Sequence, residues 1–525
     1  MRIATYSLLV SSLLFAGCAP HHPKDMRAVD SLRVETEHLL REQALMGYNS
    51  WVRGTVSNQD SLYRAHRELF SRDNLDLVTR AANAESDSLQ RQRLLYFRRY
   101  LTFEILGKET APLTDRYTTY EAQASITLDG LSIPYRQFSV ALMNEKNSGR
   151  RAALYAAADP VLDSLTLLAA EVNAAYYHQA ADLGYPSYTD MVEQLKGFSL
   201  QNIIGLAKQT LAQSDSIYFS LLPEMLRRYT TVDTTTFYRY DIGMLFRNPS
   251  FDKFFPRREI VGSVQETYRS LGIDLVSQRN LTIDTTDRPE KNPRAACFPV
   301  DVPEDIRLSI KPTGGFDDYS ALYHEMGHAE HYANTAEHAL EFKYLGEPAV
   351  TETYAFLSEY ILCNPAWLRQ HSSMPVLTLK DFVRFQAFYR LYYVRRFCAK
   401  VIYEYQLHSG AKNPEQIYAS LLSRTLGYKQ HPSDQKRYLV DLDAHYYAAD
   451  YLRAWYLEAQ LNAWLSKKYG TNWYENTSAG EYLRSLWAKG DRLDVNGLLA
   501  TIGEQEISSG PWFTTIEGML RLSAH

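Results

Sequence analysis

The residues best placed to do chemistry lie in Tyr323-His324-Glu325-Met326-Gly327-His328-Ala329. Positions four apart share a face of a helix with ~3.6 residues per turn, so His324 and His328 can offer two imidazole nitrogens to one metal ion. Glu325 stands about 100° further round, where its carboxylate reaches a water on that metal without taking a coordination position. Neutral imidazole is a good zinc ligand, a catalytic zinc keeps an open position for water, and a neighbouring carboxylate can accept that water's proton. The flanks suit a helix. Gly314-Gly315 ends the preceding segment, Asp317 and Asp318 bring negative charge to the first turn, and Ala321, Leu322 and Met326 form an apolar flank.

Two histidines do not complete a zinc site, and two glutamates downstream compete for the third place. Glu347 follows His328 by 19 residues and Glu352 by 24. Glu347 stands between Gly346 and Pro348, in a loop or a first helical turn, whereas Glu352 lies within Val350–Glu359, which reads as continuous helix. A helix positions a ligand more rigidly than a loop, which favours Glu352. Glu359 lies seven residues beyond Glu352 on the same face.

These residues need a large helical frame. The chain has 525 residues, 45% hydrophobic and 22% charged, an ordinary globular composition whose length allows about three domains. A net charge of -5 is small for this size and excludes nucleic acid as an expected partner. The 39 tyrosines suit walls with apolar bodies and hydrogen-bonding tips, or simply core packing. Apolar residues recur at three and four from Leu32 onward, so nearly all of the chain to about residue 228 reads as helix, broken at Pro112, Pro134 and Pro186. Arg91, Arg93, Arg98 and Arg99 read as a solvated helix face. Thr230 to Thr236 is a loop and a candidate hinge between lobes. Between Leu281 and Gly315 prolines alternate with short extended pieces. In Ile306–Ile310, Ile306, Leu308 and Ile310 face one side, and Arg307 and Ser309, candidate substrate-binding residues, face the other. That strand is either an exposed edge on which an extended peptide could pair beside the metal, or part of a small structural sheet. Helix resumes after the metal-binding segment, with breaks near Pro365, Pro375, Pro414 and Pro432.

The N-terminus reads as a targeting segment. Arg2 is followed by an apolar run, Leu8 to Phe15, too short to cross a bilayer, and then by Ala16-Gly17-Cys18. This resembles a bacterial lipoprotein signal. Residues 1–17 would be removed, Cys18 lipidated, and residues 18–29 would form a tether; the bulk of Phe15 leaves plain secretion as the alternative. The expected location is the bacterial cell envelope, on its periplasmic or surface face. Cys297, Cys363 and Cys398 are too far apart in sequence for a zinc site and read as buried apolar residues.

Arg307-Leu308-Ser309-Ile310-Lys311, running through Asp317-Asp318 into His324–His328, is similar to the corresponding strand and zinc helix of angiotensin-converting enzyme, and Leu183-Gly184-Tyr185 with Tyr188 resembles a helix start of the same wider group. The offset to Glu352 resembles that enzyme and, within a residue, the thimet oligopeptidase and oligopeptidase F group, whose members carry a second supporting glutamate where Glu359 stands. The offset to Glu347 resembles the aminopeptidases of the gluzincin clan, but their Gly-Ala-Met-Glu-Asn segment is missing. The resemblance implies a mostly α, two-lobed metallopeptidase fold over residues 30–525, with a deep central channel and a small β-sheet beside the zinc helix. Its lobes would span about 30–230 and 237–525. It also implies one Zn2+ per chain held by His324, His328 and Glu352, a Glu325 general base, short peptides as substrates, and a monomer that meets the membrane only through its anchor.

A distant histidine and tyrosines would bind substrate and stabilise the oxyanion. The matching region is Asp443–Trp455, where Tyr447, Tyr451 and Trp455 share a helical face. Aligned on a Tyr-x-Arg pattern, the oxyanion tyrosine of angiotensin-converting enzyme becomes Ala454. Aligned on the His-x-Tyr pattern of oligopeptidase F, His445 and Tyr451 take the functional places, and this alignment is preferred, with Tyr447 as the other candidate. The expected activity is oligoendopeptidase or peptidyl-dipeptidase. The alternatives are an aminopeptidase using Glu347 and a catalytically silent, peptide-binding envelope lipoprotein.

Overall fold

The computed structural model describes residues 24–55 and 58–524, which are mostly helical with two small sheets. Residues 1–17 and Cys18 lie outside the described residues. The first helix, Lys24–Arg53, takes in residues 24–29 of the segment read as a tether, and Val29 is fully buried.

The long helices bury stripes at three- and four-residue spacing. Helix Ser88–Gln123 is capped by the Asp87 carboxylate, which accepts from Gln90 N at 2.8 Å, and it buries Leu94, Phe97, Leu101 and Ile105. Pro112 lies inside this helix instead of breaking it; the missing N–H removes one backbone bond, and the helix continues. The arginine cluster is a solvated face only in part: Arg91 is exposed, but two of its members are engaged. Arg93 pairs with Glu341 at 3.0 Å, and Arg99 is buried against the Leu345 and Gly346 carbonyls.

A second departure follows Gln123. Strands β1 (Ser125–Leu128) and β2 (Leu131–Pro134) form an antiparallel hairpin closed by Asp129-Gly130, both at positive φ, in a segment read as helix. Asp-Gly is the turn such a hairpin requires, and it interrupts the helical period.

The second sheet contains β3 (Leu281–Asp284), β4 (Ala296–Asp301) and β5 (Asp305–Ser309), in the order β3-β5-β4. β5 runs parallel to β3 and antiparallel to β4, so of the two readings of that strand, exposed edge or small structural sheet, the second holds: it is the central strand. The first helix packs along β4, with Phe298 edge-on to Tyr48 and Trp51.

The apolar core has no break near residue 230. One cluster unites the first three long helices with Leu340, Phe342 and Leu345, and the main cluster lays helix Leu200–Tyr229 along Val376–His408, with Tyr218 stacked on Phe388 at 5.3 Å. Residues 230–236 are a loop, as the threonines predict, tied by Thr235 and Thr236 bonding to Asp233.

Candidate metal centre

His324, Glu325 and His328 lie on helix Phe316–Ala333, and Glu352 and Glu359 on helix Pro348–Glu359. Gly315, at φ 98°, begins the first of these, and the Asp318 carboxylate ties the preceding loop by accepting from Gly314 N at 2.7 Å. The two helices cross at Gly327. A Cβ there would lie 2.6 Å from the Ala355 Cα and closer still to the Tyr354 carbonyl oxygen, so only glycine lets the backbones meet. This contact, within the motif itself, aims both imidazoles at the second helix.

His324, His328 and Glu352 each offer a ligand atom, all within 4.8 Å of one another. Glu352 Oε2 lies 3.3 Å from His324 Nε2 and 3.7 Å from His328 Nε2. A tetrahedral zinc with bonds of about 2.0–2.1 Å spaces its ligand atoms about 3.4 Å apart, close to these separations. The far side of each ligand is held. His324 Nδ1 is 3.0 Å from Glu359 Oε2, while the other Glu359 oxygen accepts from Ser320 Oγ at 2.6 Å. His328 Nδ1 is 2.8 Å from Thr351 Oγ1, and the Tyr447 hydroxyl donates to Glu352 Oε1 at 2.9 Å. Glu352 Oε2 itself is buried with no hydrogen-bond partner among the described residues. A buried, unbonded carboxylate oxygen between two Nε2 atoms is costly unless something cationic stands there, so the donor set fits a metal ion.

The two carboxylates dominate the electrostatics of the group. Burial works against charge on His324, yet Glu352 and Glu359 hold its pKa well above the ordinary value. Burial pushes His328 down, keeping that imidazole neutral. Burial also opposes charge on Glu352, but His328, His324 and the Tyr447 hydroxyl hold its pKa below the usual range.

Glu325 takes no place in the triad. Its Oε2 accepts from the Cys297 N–H at 2.8 Å, which puts the carboxylate against β4. The strand facing the centre is therefore β4, with an N–H turned away from β5, and not the Ile306–Ile310 strand. Ser309 is fully buried, and Arg307 pairs with Asp305 at 2.6 Å and lies over the Tyr48 ring; among the described residues neither bonds to a residue of the centre.

Glu347 is the N-cap residue of the Glu352 helix and pairs with Arg453 at 2.7 Å, outside the ligand group. Tyr447, Tyr451 and Trp455 share one face of helix Tyr447–Tyr469. Tyr451 packs between Phe356 and Phe397, and burial, with Glu352 nearby, raises its pKa so that the hydroxyl stays protonated. His445 precedes the helix at φ 54°, stacks on Phe103 at 4.3 Å and approaches the Tyr188 hydroxyl through Nδ1 at 3.1 Å; burial lowers its pKa to about 3.

Three contributors escaped sequence reasoning. Ser320 had a signal, four residues before His324, and Thr351 had one as the neighbour of Glu352. The Cys297 N–H had none, since any residue could supply it. No family model matches this chain, and no curated protein does either.

Proposed function

We propose that the chain is a zinc-dependent peptidase acting on short peptides, either within them or by releasing C-terminal dipeptides. The observation that carries this reading is the buried, unbonded Glu352 oxygen facing two imidazoles whose other nitrogens are already engaged, with a glutamate beside them that is not a ligand. Two nitrogens and one carboxylate oxygen with a fourth position open is the donor set of catalytic zinc.

His324, His328 and Glu352 would hold the ion, which when bound supplies Lewis acidity and a nucleophilic water at neutral pH. Glu325 takes a proton from the attacking water and delivers it to the amide nitrogen as the C–N bond breaks. Its bond to Cys297 N holds the carboxylate at the β4 edge, where an extended peptide backbone could lie. Tyr451, protonated and adjacent to Glu352, supplies a hydrogen bond to the oxyanion, while Tyr447 holds Glu352 in place. A cavity of about 500 Å³ beside Tyr447 supports the expected channel between two lobes by giving a peptide somewhere to lie. The proposal includes a monomer exported to the bacterial envelope and anchored through Cys18. Release of the protein from membranes by Cys18→Ser tests that part.

The deciding measurement is mass spectrometry of products from short peptides, free and N-terminally blocked, incubated with the zinc-loaded chain. Internal cuts or C-terminal dipeptides from blocked peptides, abolished by a chelator, are expected. Trimming of free N-termini alone would replace this reading with an aminopeptidase. Glu325→Gln should retain bound zinc and lose turnover by about 1,000-fold or more, within the usual scale for a general base; near-full activity would remove Glu325 from the mechanism.

A further inference from the structure

The cavity beside the metal centre has its own charge pattern. Tyr447 is the shared wall, since its ring lines the cavity and its hydroxyl bonds to Glu352. Most charged groups around it are already matched. Arg453 pairs with Glu347, Lys196 with Asp450, and Asp443 with Lys400. Arg99 donates to the Leu345 and Gly346 carbonyls and lies over the Tyr96 ring. Glu104 is the exception. It lines the cavity, its side-chain bond comes from the Tyr63 hydroxyl at 2.9 Å, and no lysine, arginine or histidine of the described residues forms an ion pair with it. Burial, unopposed by any cation, raises its pKa to about 7.

The surroundings are built around this carboxylate. Gly107 lies three residues along the same helix, and a Cβ there would sit 2.6 Å from the Tyr63 hydroxyl, so the glycine admits the group that bonds to Glu104. Glycine is a poorer helix former than alanine, and the helix tolerates it here. Tyr100, one turn before Glu104, also lines the cavity, and its hydroxyl is buried without a hydrogen-bond partner among the described residues. An unpaired carboxylate, an idle hydroxyl and tyrosine rings in one cavity are complementary to a positive charge and to a hydrogen-bond donor.

We propose that this cavity takes a cationic group of the peptide, an ammonium or guanidinium, which pairs with Glu104 and donates to the Tyr100 hydroxyl. Glu104 is then a specificity-determining residue, and the inference rests on the peptidase reading for the peptide nature of the ligand. The charge could come from a lysine or arginine side chain or from a free N-terminus.

Calorimetric binding to the zinc-loaded Glu325→Gln chain tests this without turnover. One pair of N-acetylated peptides differs only in carrying lysine or acetyl-lysine, and a second, apolar pair differs only in a free or acetylated N-terminus. A cationic partner should bind about 10-fold or more tighter, the scale of one charge-assisted bond, and Glu104→Gln should abolish the difference. Preference within the first pair names the side chain as the source, and preference within the second names the terminus. Equal affinities within both pairs, measured with Glu104 intact, overturn the proposal whether or not Glu104→Gln folds. So does a preference that survives Glu104→Gln. If the unaltered chain cleaves no peptide while these affinities differ as expected, the catalytic reading falls and the cation site stands.

Discussion

Glu347 and Glu352 belong to the same stretch of chain, one capping a helix and the other inside it, yet the protein holds them by opposite means. Glu347 meets a guanidinium: Arg453 is 2.7 Å away and lies over the Phe198 ring. Glu352 meets two imidazoles and a tyrosine hydroxyl, and one of its oxygens is left without a bond. The first arrangement is complete as it stands, whereas the second leaves a carboxylate oxygen on which a further cation can act. A carboxylate can therefore be told apart as structural or ligating by whether its charge is already answered, more surely than by its distance along the sequence.

Neutralising each glutamate in turn separates the two arrangements most directly. Glu352→Gln should weaken zinc binding by at least about 100-fold, more than is typical of residues that only support a ligand, and Glu347→Gln by less than about 3-fold, as read by competition with a chromogenic chelator. Equal losses would show that the contrast is not one between ligand and ion pair. Gly327→Ala should come next, because its methyl group would collide with the backbone of the Glu352 helix. Overpacking there should cost about 1–3 kcal/mol or more, lowering the melting temperature and loosening the zinc. Thr351→Val preserves shape but removes the partner of His328 Nδ1, and should reduce zinc affinity by about 10-fold without a large change in melting temperature.

The same contrast sets a smaller effect, in the response to pH. Burial raises Glu404 and Glu458 to about 8, whereas the half-buried Asp441 is held well below the usual range by Arg396, Lys400 and Arg239. Unfolded glutamate titrates near 4.3, so between there and about 8 the folded chain binds more protons than the unfolded one, and stability falls as pH rises. Burial lowers His408 and His445 to about 4 and 3, so their contribution is complete above ~6.5 and is lost only as pH falls below it. From pH 6.5 to 8 the raised carboxylates therefore set the slope. Melting temperature should drop by about 2 °C or more across that window, and Glu458→Gln should flatten the drop. An unchanged slope in that variant would separate Glu458 from the pH response.

The helical character and the pairing of His324 with His328 were legible in the sequence because both rest on local periodicity, which repeats within a turn or two. The preference for Glu352 over Glu347 was legible for the same reason, since Gly346 and Pro348 mark a helix start and Val350–Glu359 a helix interior. Asp129-Gly130 was also a local signal for the hairpin, lost beneath a long run of helical spacing. What the chain alone does not determine is which strand faces the centre, because β5 lies between two strands that both precede it in sequence, and its alternation looks the same at an edge or in the middle. It does not determine either that Glu104 would remain without a cation while Glu347 finds Arg453, more than a hundred residues away. Charges and sheet edges acquire partners through space, and only the folded arrangement decides which of them are answered and which are left open to a metal or a substrate.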